Sequence, residues 1–221
     1  DSDLETAIAG AASAIFFNHG QCCCAGSRLF VEKKIYDRVV EGVAAQAAKI
    51  HLGPGLDPAT EMGPLVSQEQ LARVCSYIEA GQKEGARIVS GGQRPKSLAE
   101  GYFVEPTVFT NVKPDMKIVR EEIFGPVLAA IPFTDFNEVI EQGNNTSYGL
   151  AAGIWTRDIT KAHRAAAALK AGTVWINCFN IFDASSPFGG YKQSGYGREM
   201  GRHAIDLYTQ IKSVWVGLGM K

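Results

Sequence analysis

Apolar residues recur at helical spacing near the start of the chain, at Ile8, Ala11, Ala12, Ile15 and Phe16, and predict a first helix. Ser2-Asp3-Leu4-Glu5 has the capping-box pattern for its start, and Asn18-His19-Gly20 for its stop, with Gly20 suited to a left-handed cap. The run "RLFVE" reads as a strand over 28–32, followed by a helix over 34–50 with Ile35, Val39, Val43, Ala47 and Ile50 on one face. A Gly/Pro connection fills 51–67, and Ser67 with Gln70 opens a capped helix over 68–84. Strands are expected at 86–90, 102–109 and 127–133, then a helix at 135–143, a strand at 151–155, a helix at 158–171 and a strand at 173–177. This alternation predicts an α/β fold: a mostly parallel open sheet flanked by helices. A long loop spans 178–197, a length usually tied to function. A short helix near 198–207 and a terminal edge strand in "TQIKSVWVGL" complete the pattern.

Composition narrows the function classes. Lys plus Arg total 22 against 23 for Asp plus Glu, an even balance that gives no electrostatic footprint for nucleic acid or anionic lipid. No apolar run approaches the ~20 residues of a membrane span, and no signal-peptide pattern opens the chain. The five cysteines are odd in number, and three are contiguous at Cys22, Cys23 and Cys24, so a disulfide framework is not expected and a cytoplasmic location is. The chain opens without Met, directly on a helix, as a piece of a longer protein would.

The contiguous cysteines admit three readings. Free cysteine often packs as a small hydrophobe. Neighbouring side chains cannot converge on one ion as spaced pairs do, and His19, His51, His163 and His203 lack ligand spacing, so no metal site is expected. A nucleophile is the third reading. Gly20 and Gly26 flank the cluster and would let a substrate approach the backbone, whose N–H could serve as an oxyanion donor. On local residues alone these readings stay open. Gly195, Gly197 and Gly201 are spaced somewhat like a dinucleotide fingerprint, but they follow a loop and lack the strand-turn-helix context.

Taken together, "FFNHGQCC", "LGPGLDPATEMGPL", "EEIFGPV", "NNTSYGLAAGIWT", "AGTVWIN" and "PFGGYKQSGYGRE" resemble, in order, blocks of the NAD(P)-dependent aldehyde dehydrogenase superfamily. The resemblance spans essentially the whole chain and corresponds to that family's second half. It implies that Cys23, two positions after Gln21, is the nucleophile, with Cys22 and Cys24 walling the substrate pocket. It assigns Glu122 to the nicotinamide ribose hydroxyls and Phe124 to contact near the nicotinamide. Phe182 and Phe188 become aromatic walls of the aldehyde pocket, Glu199 a proton-relay carboxylate, and Asn177 a weaker candidate for organising the site.

The implied domain division is a catalytic domain over 1–191, then a return segment and oligomerisation strand over 192–221. The cofactor domain, the general-base Glu and a second oxyanion donor belong to blocks not found in these residues. The implied cofactor is NAD or NADP, the substrate an aldehyde of apolar character, and the complete enzyme a homodimer or homotetramer. These 221 residues alone are expected to show little or no dehydrogenase activity. Two other classes are a cysteine-dependent esterase or acyl-transfer module and a non-catalytic assembly module.

Overall fold

The strand at Val127–Phe133 (β4) is apolar throughout, "VLAAIPF", because it lies in the middle of a sheet and is covered on both faces. It pairs in parallel with Arg28–Glu32 (β1) and Thr107–Thr110 (β3), and Arg87–Ser90 (β2) adds antiparallel to β3. Residues 1–219 are described in this computed structural model. The pleat sends alternate residues of the sheet into two cores. Val127, Ala129, Ile131 and Phe109 pack with helix α3 (Gln68–Lys83), while Leu128, Ala130 and Val108 pack with α1 (Leu4–Phe16) and α2 (Tyr36–Lys49).

The expected single sheet is divided. Ala151–Ile154 (β5) and Thr173–Ile176 (β6) form a separate parallel pair. Between them and the four-stranded sheet runs a cleft of about 780 Å³, lined along one side by β1 and along the other by β5. Edges of two sheets thus face each other across it, and α5 (Phe136–Asn144) and α6 (Ile159–Ala168) also contribute to its lining. Arg28 reaches across to the Gln142 and Gly143 carbonyls at the end of α5, where a cation offsets the helix dipole.

Element starts follow side-chain chemistry. Asp3, not Ser2, caps α1, accepting from the Thr6 N–H at 2.9 Å. Ser67 caps α3 as expected. Asp135 and Glu138 make a complete capping box on α5, a signal the sequence pattern had not singled out. The strand expected at 102–109 begins only at Thr107, because Pro106 has no N–H for the ladder. A four-residue helix, α4 (Lys117–Arg120), is too short to leave a periodic pattern.

The tail departs most. Met200 and Gly201 take left-handed φ values of 59° and 57°, so the expected helix is delayed to a 3-10 turn at Arg202–Ala204 and α7 (Ile205–Tyr208). Residues 209–219 form no strand, and Ile211, Val214, Trp215, Val216 and Leu218 stand exposed. A strand needs a ladder partner, and the described residues supply none to that segment. Residues 220 and 221 of the expected tail domain lie outside the described residues. No helix among the described residues is long and apolar enough to cross a membrane.

Candidate active site

The cysteine turn is set by three consecutive left-handed residues after α1: Asn18 (φ 49°), His19 (φ 61°) and Gly20 (φ 66°). Asn tolerates this region by bonding locally, and here the Asn18 amide donates to the Gln21 carbonyl at 2.9 Å. The Gln21 N–H returns the bond to the Asn18 carbonyl. The Gln21 side chain then accepts from the Val66 N–H at 3.1 Å, which fastens the 51–67 connection to the turn. His19 lies against Gln21, half-buried, and burial lowers its pKa.

A turn closed by the Ala25 N–H on the Cys22 carbonyl presents three thiols to three environments. Cys23 is exposed, Cys22 half-buried and Cys24 buried. Cys24 is held from both sides, by Cys22 Sγ at 3.5 Å and by Asn180 Oδ1, to which its thiol donates at 3.3 Å. Burial, then the contact with Cys22, pushes the Cys24 thiol up to about 12, so it stays protonated. The Cys23 thiol is also raised, first by burial of its inner side and then by Cys22, with backbone N–H groups of Cys23 and Cys24 offsetting part of this. The Cys23 N–H donates to no other oxygen among the described residues and so is available as an oxyanion donor.

A pH profile follows with a definite sign. Alkylation of Cys23 by iodoacetamide, without cofactor, is expected to accelerate as pH rises, with its midpoint above the free-thiol value of about 8.5. Mass-spectrometric rates across that range check it. A midpoint below the free-thiol value would mean that a cation, and not burial, dominates this thiol.

The flanking glycines do something other than admit substrate. A Cβ on Gly20 would lie 2.1 Å from the Gly125 carbonyl oxygen, and one on Gly26 would lie 3.1 Å from the Ala14 methyl. Gly20 is therefore where the cysteine turn rests directly on the "EEIFGPV" loop. In that loop the two glutamates separate. Glu121 accepts from the Tyr77 hydroxyl at 2.8 Å, while the Glu122 carboxylate is exposed and engaged by no hydrogen bond among the described residues. Phe124, at φ 58°, is exposed beside it.

Cys22, Cys23, Cys24, Glu122 and Phe124 all line the cleft. Phe182, Phe188 and Glu199 do not. They belong to an adjoining aromatic row in which Phe182 packs edge-on against Trp175 at 5.5 Å and against Phe188 at 5.3 Å. Phe188 and Glu199 exchange two backbone hydrogen bonds, and the Glu199 side chain is exposed. Asn177 brackets the Thr156 backbone with two bonds of 2.9 Å, joining the ends of β5 and β6. Sequence reasoning missed Phe179, which lines the cleft and packs at a tilt against Trp175, and Asn180, which holds Cys24. The signal for Asn180 was slight: an Asn in a loop, where a left-handed φ (56°) suits it.

Comparison with known proteins places this arrangement. The sequence model of the aldehyde dehydrogenase family matches residues 1–214. An NAD+ complex of the aldehyde dehydrogenase from Bacillus cereus is 57% identical, with a TM-score of 0.95, over 99% of this chain and 44% of that one. Aldehyde dehydrogenase of Agaricus bisporus is 51% identical over 100% of this chain and 44% of its own length. Mitochondrial aldehyde dehydrogenase of Rattus norvegicus is 48% identical over 100% of this chain and 42% of its own. The chain therefore spans less than half the length of these relatives.

Proposed function

Because the chain belongs to the aldehyde dehydrogenase family, we propose that it is the catalytic portion of an enzyme that oxidises an aldehyde to a carboxylic acid, with NAD or NADP as cofactor. One observation carries the reading: an exposed Cys23 thiol and an uncommitted Glu122 carboxylate open into the same cleft. As thiolate, Cys23 adds to the aldehyde carbon, and the electron pair of the carbonyl moves to oxygen. That oxyanion accepts a hydrogen bond from the Cys23 N–H. When bound, the nicotinamide supplies the acceptor for the hydride that leaves the same carbon. What remains on Cys23 is a thioester, and water releases it as the acid.

The cleft fits such a cofactor at its nicotinamide end. An exposed carboxylate is a two-oxygen acceptor suited to a ribose diol, and the Phe124 ring stands two residues on. The general base that activates water for release of the thioester is assigned to blocks not found in these residues, as is most of the cofactor's binding domain. For that reason the 221 residues alone are expected to oxidise aldehydes little or not at all. Phe182 and Phe188 lie outside the cleft lining, which supports a role in shaping the substrate end over direct contact, and the exposed Glu199 carboxylate is read as a proton relay. The substrate reading is an aliphatic or aryl aldehyde. Residues 192–219 are read as a return segment and oligomerisation strand. The exposed apolar residues of 209–219 support pairing between subunits, in a homodimer or homotetramer. A reducing, cytoplasmic setting suits five free cysteines.

The test is to quench the complete enzyme with acid during turnover of an aldehyde with NAD, and to map the acylated peptide. An acyl group on Cys23, with NADH formed in step with product, is expected. Ester turnover that needs Cys23 but ignores NAD, with no aldehyde-dependent NADH, would replace this reading with an acyl-transfer one.

A further inference from the structure

We propose that Asn180 is a positioning residue for the nucleophile: by accepting a hydrogen bond from the Cys24 thiol, it clasps the cysteine turn to the loop after β6 and fixes the neighbouring Cys23 at the cleft. The proposal rests on the reading of Cys23 given above. Backbone contacts hold this turn at its two ends. Upstream, Gln21 is tied to Asn18 and to Val66, and Gly20 rests on Gly125. Downstream, the Gly26 N–H donates to the Ala14 carbonyl of α1 at 2.9 Å. Between these ends, Cys22, Cys23 and Cys24 make no backbone hydrogen bond to a residue outside the turn among the described residues. The middle of the turn is hydrogen-bonded to the rest of the chain through the Cys24 side chain, 3.3 Å from Asn180 Oδ1.

Asn180 is a firm anchor because its own loop is braced before and after it. Three residues earlier, Asn177 brackets the Thr156 backbone with two bonds of 2.9 Å. One residue later, the Ile181 carbonyl accepts from the Trp175 indole at 2.9 Å. The Phe179 ring packs at a tilt against Trp175, with centroids 4.6 Å apart. Its tip reaches the downstream end of the turn, where a Cβ on Gly26 would lie 3.8 Å away. Asn180 itself takes φ 56°, a conformation that Asn accepts and most side chains resist.

The donor is equally dependable. Burial keeps the Cys24 thiol protonated, so it carries the hydrogen that Asn180 receives. A thiol is a weak donor, and the clasp therefore acts on position more than on overall stability. Position is what the reaction needs. The Cys23 sulfur and the Cys23 N–H must both meet one carbonyl group, and a misplacement of about 1 Å in such an arrangement can cost about a hundredfold in rate.

Asn180→Gly removes the acceptor and suits the left-handed backbone, whereas Asn180→Asp keeps an acceptor oxygen on a residue that tolerates that backbone. Both are made in the complete enzyme. Asn180→Gly is expected to lower kcat about fivefold and to quicken amide hydrogen exchange of residues 22–26, without cofactor, by about the same factor, the change that one hydrogen bond makes. Asn180→Asp is expected to stay within about twofold of wild type in both readings. The dissociation constant for NAD is expected to stay within about twofold in each variant, since Glu122 and Phe124 take no part in the clasp. Cys24→Ala alone is expected to quicken the exchange as Asn180→Gly does, and adding Asn180→Gly to it to change either reading by less than about twofold. A merely structural Asn180 would cost the same with and without the Cys24 thiol, and that result would overturn the proposal. Wild-type exchange in Asn180→Gly or in Cys24→Ala, or an Asn180→Asp enzyme as impaired as Asn180→Gly, would overturn it too. Exchange is read without turnover. A wild-type enzyme that reduces no NAD would overturn the dehydrogenase reading, and the exchange rates would still decide the clasp.

Discussion

Replacing Cys23 with Ala in the complete enzyme is expected to lower aldehyde-dependent NAD reduction by at least about a thousandfold, because the covalent step has no other nucleophile. The neighbours cannot take over. Cys24 is buried, donates a hydrogen bond to Asn180 Oδ1 and has its thiol pushed up to about 12, so it stays protonated. Cys22 is half-buried with its sulfur turned to Cys24 at 3.5 Å. Cys22→Ala and Cys24→Ala are therefore expected to cost less than about tenfold each, mainly through packing around the turn. Steady-state rates of the three variants, with circular dichroism to show that each is folded, decide the matter. A Cys22→Ala enzyme as inactive as Cys23→Ala would move the chemistry to the wrong sulfur for this account.

Gly20→Ala is expected to disable the enzyme without touching a reacting atom. Gly20 sits at φ 66°, where any side chain is strained, and its Cβ would meet the Gly125 carbonyl at 2.1 Å. Backbone cannot yield as a side-chain tip can. Left-handed strain of roughly 1–2 kcal/mol adds to an overpacking cost of about 1–3 kcal/mol. A melting temperature clearly below that of wild type, and loss of both cofactor binding and turnover, are the expected readings. Gly55→Ala is the control, since its Cβ would meet nothing within 4 Å. If Gly20→Ala melts and turns over like wild type, the cysteine turn and the "EEIFGPV" loop are not mechanically joined.

Much of the architecture was legible because periodicity reports burial. Residues 28–32 and 127–133 read as strands and are β1 and β4, one half-covered and the other covered on both faces. Ser67 announced α3 by the chemistry of its hydroxyl. Where the reading slipped, a non-local partner was involved. The segment 209–219 has strand-forming residues but, among the described residues, no strand to pair with. Residues 102–105 look like a strand yet are occupied by bonds to Leu65 and Gln93. Left-handed backbone at Met200 delayed the last helix, and no propensity forecasts that.

The sequence by itself determined the strand and helix order, the cysteine cluster, and the family likeness that singles out one thiol, since these depend on local spacing and on residue types. Only the tertiary structure decided which sulfur is open and which is locked, and that Glu122, not Glu121, is left free. It also brought Asn180, 156 residues further along the chain, to hold Cys24 by its thiol. Exposure, pairing and close backbone approach depend on which distant segments come to share one space. Local spacing carries no record of that.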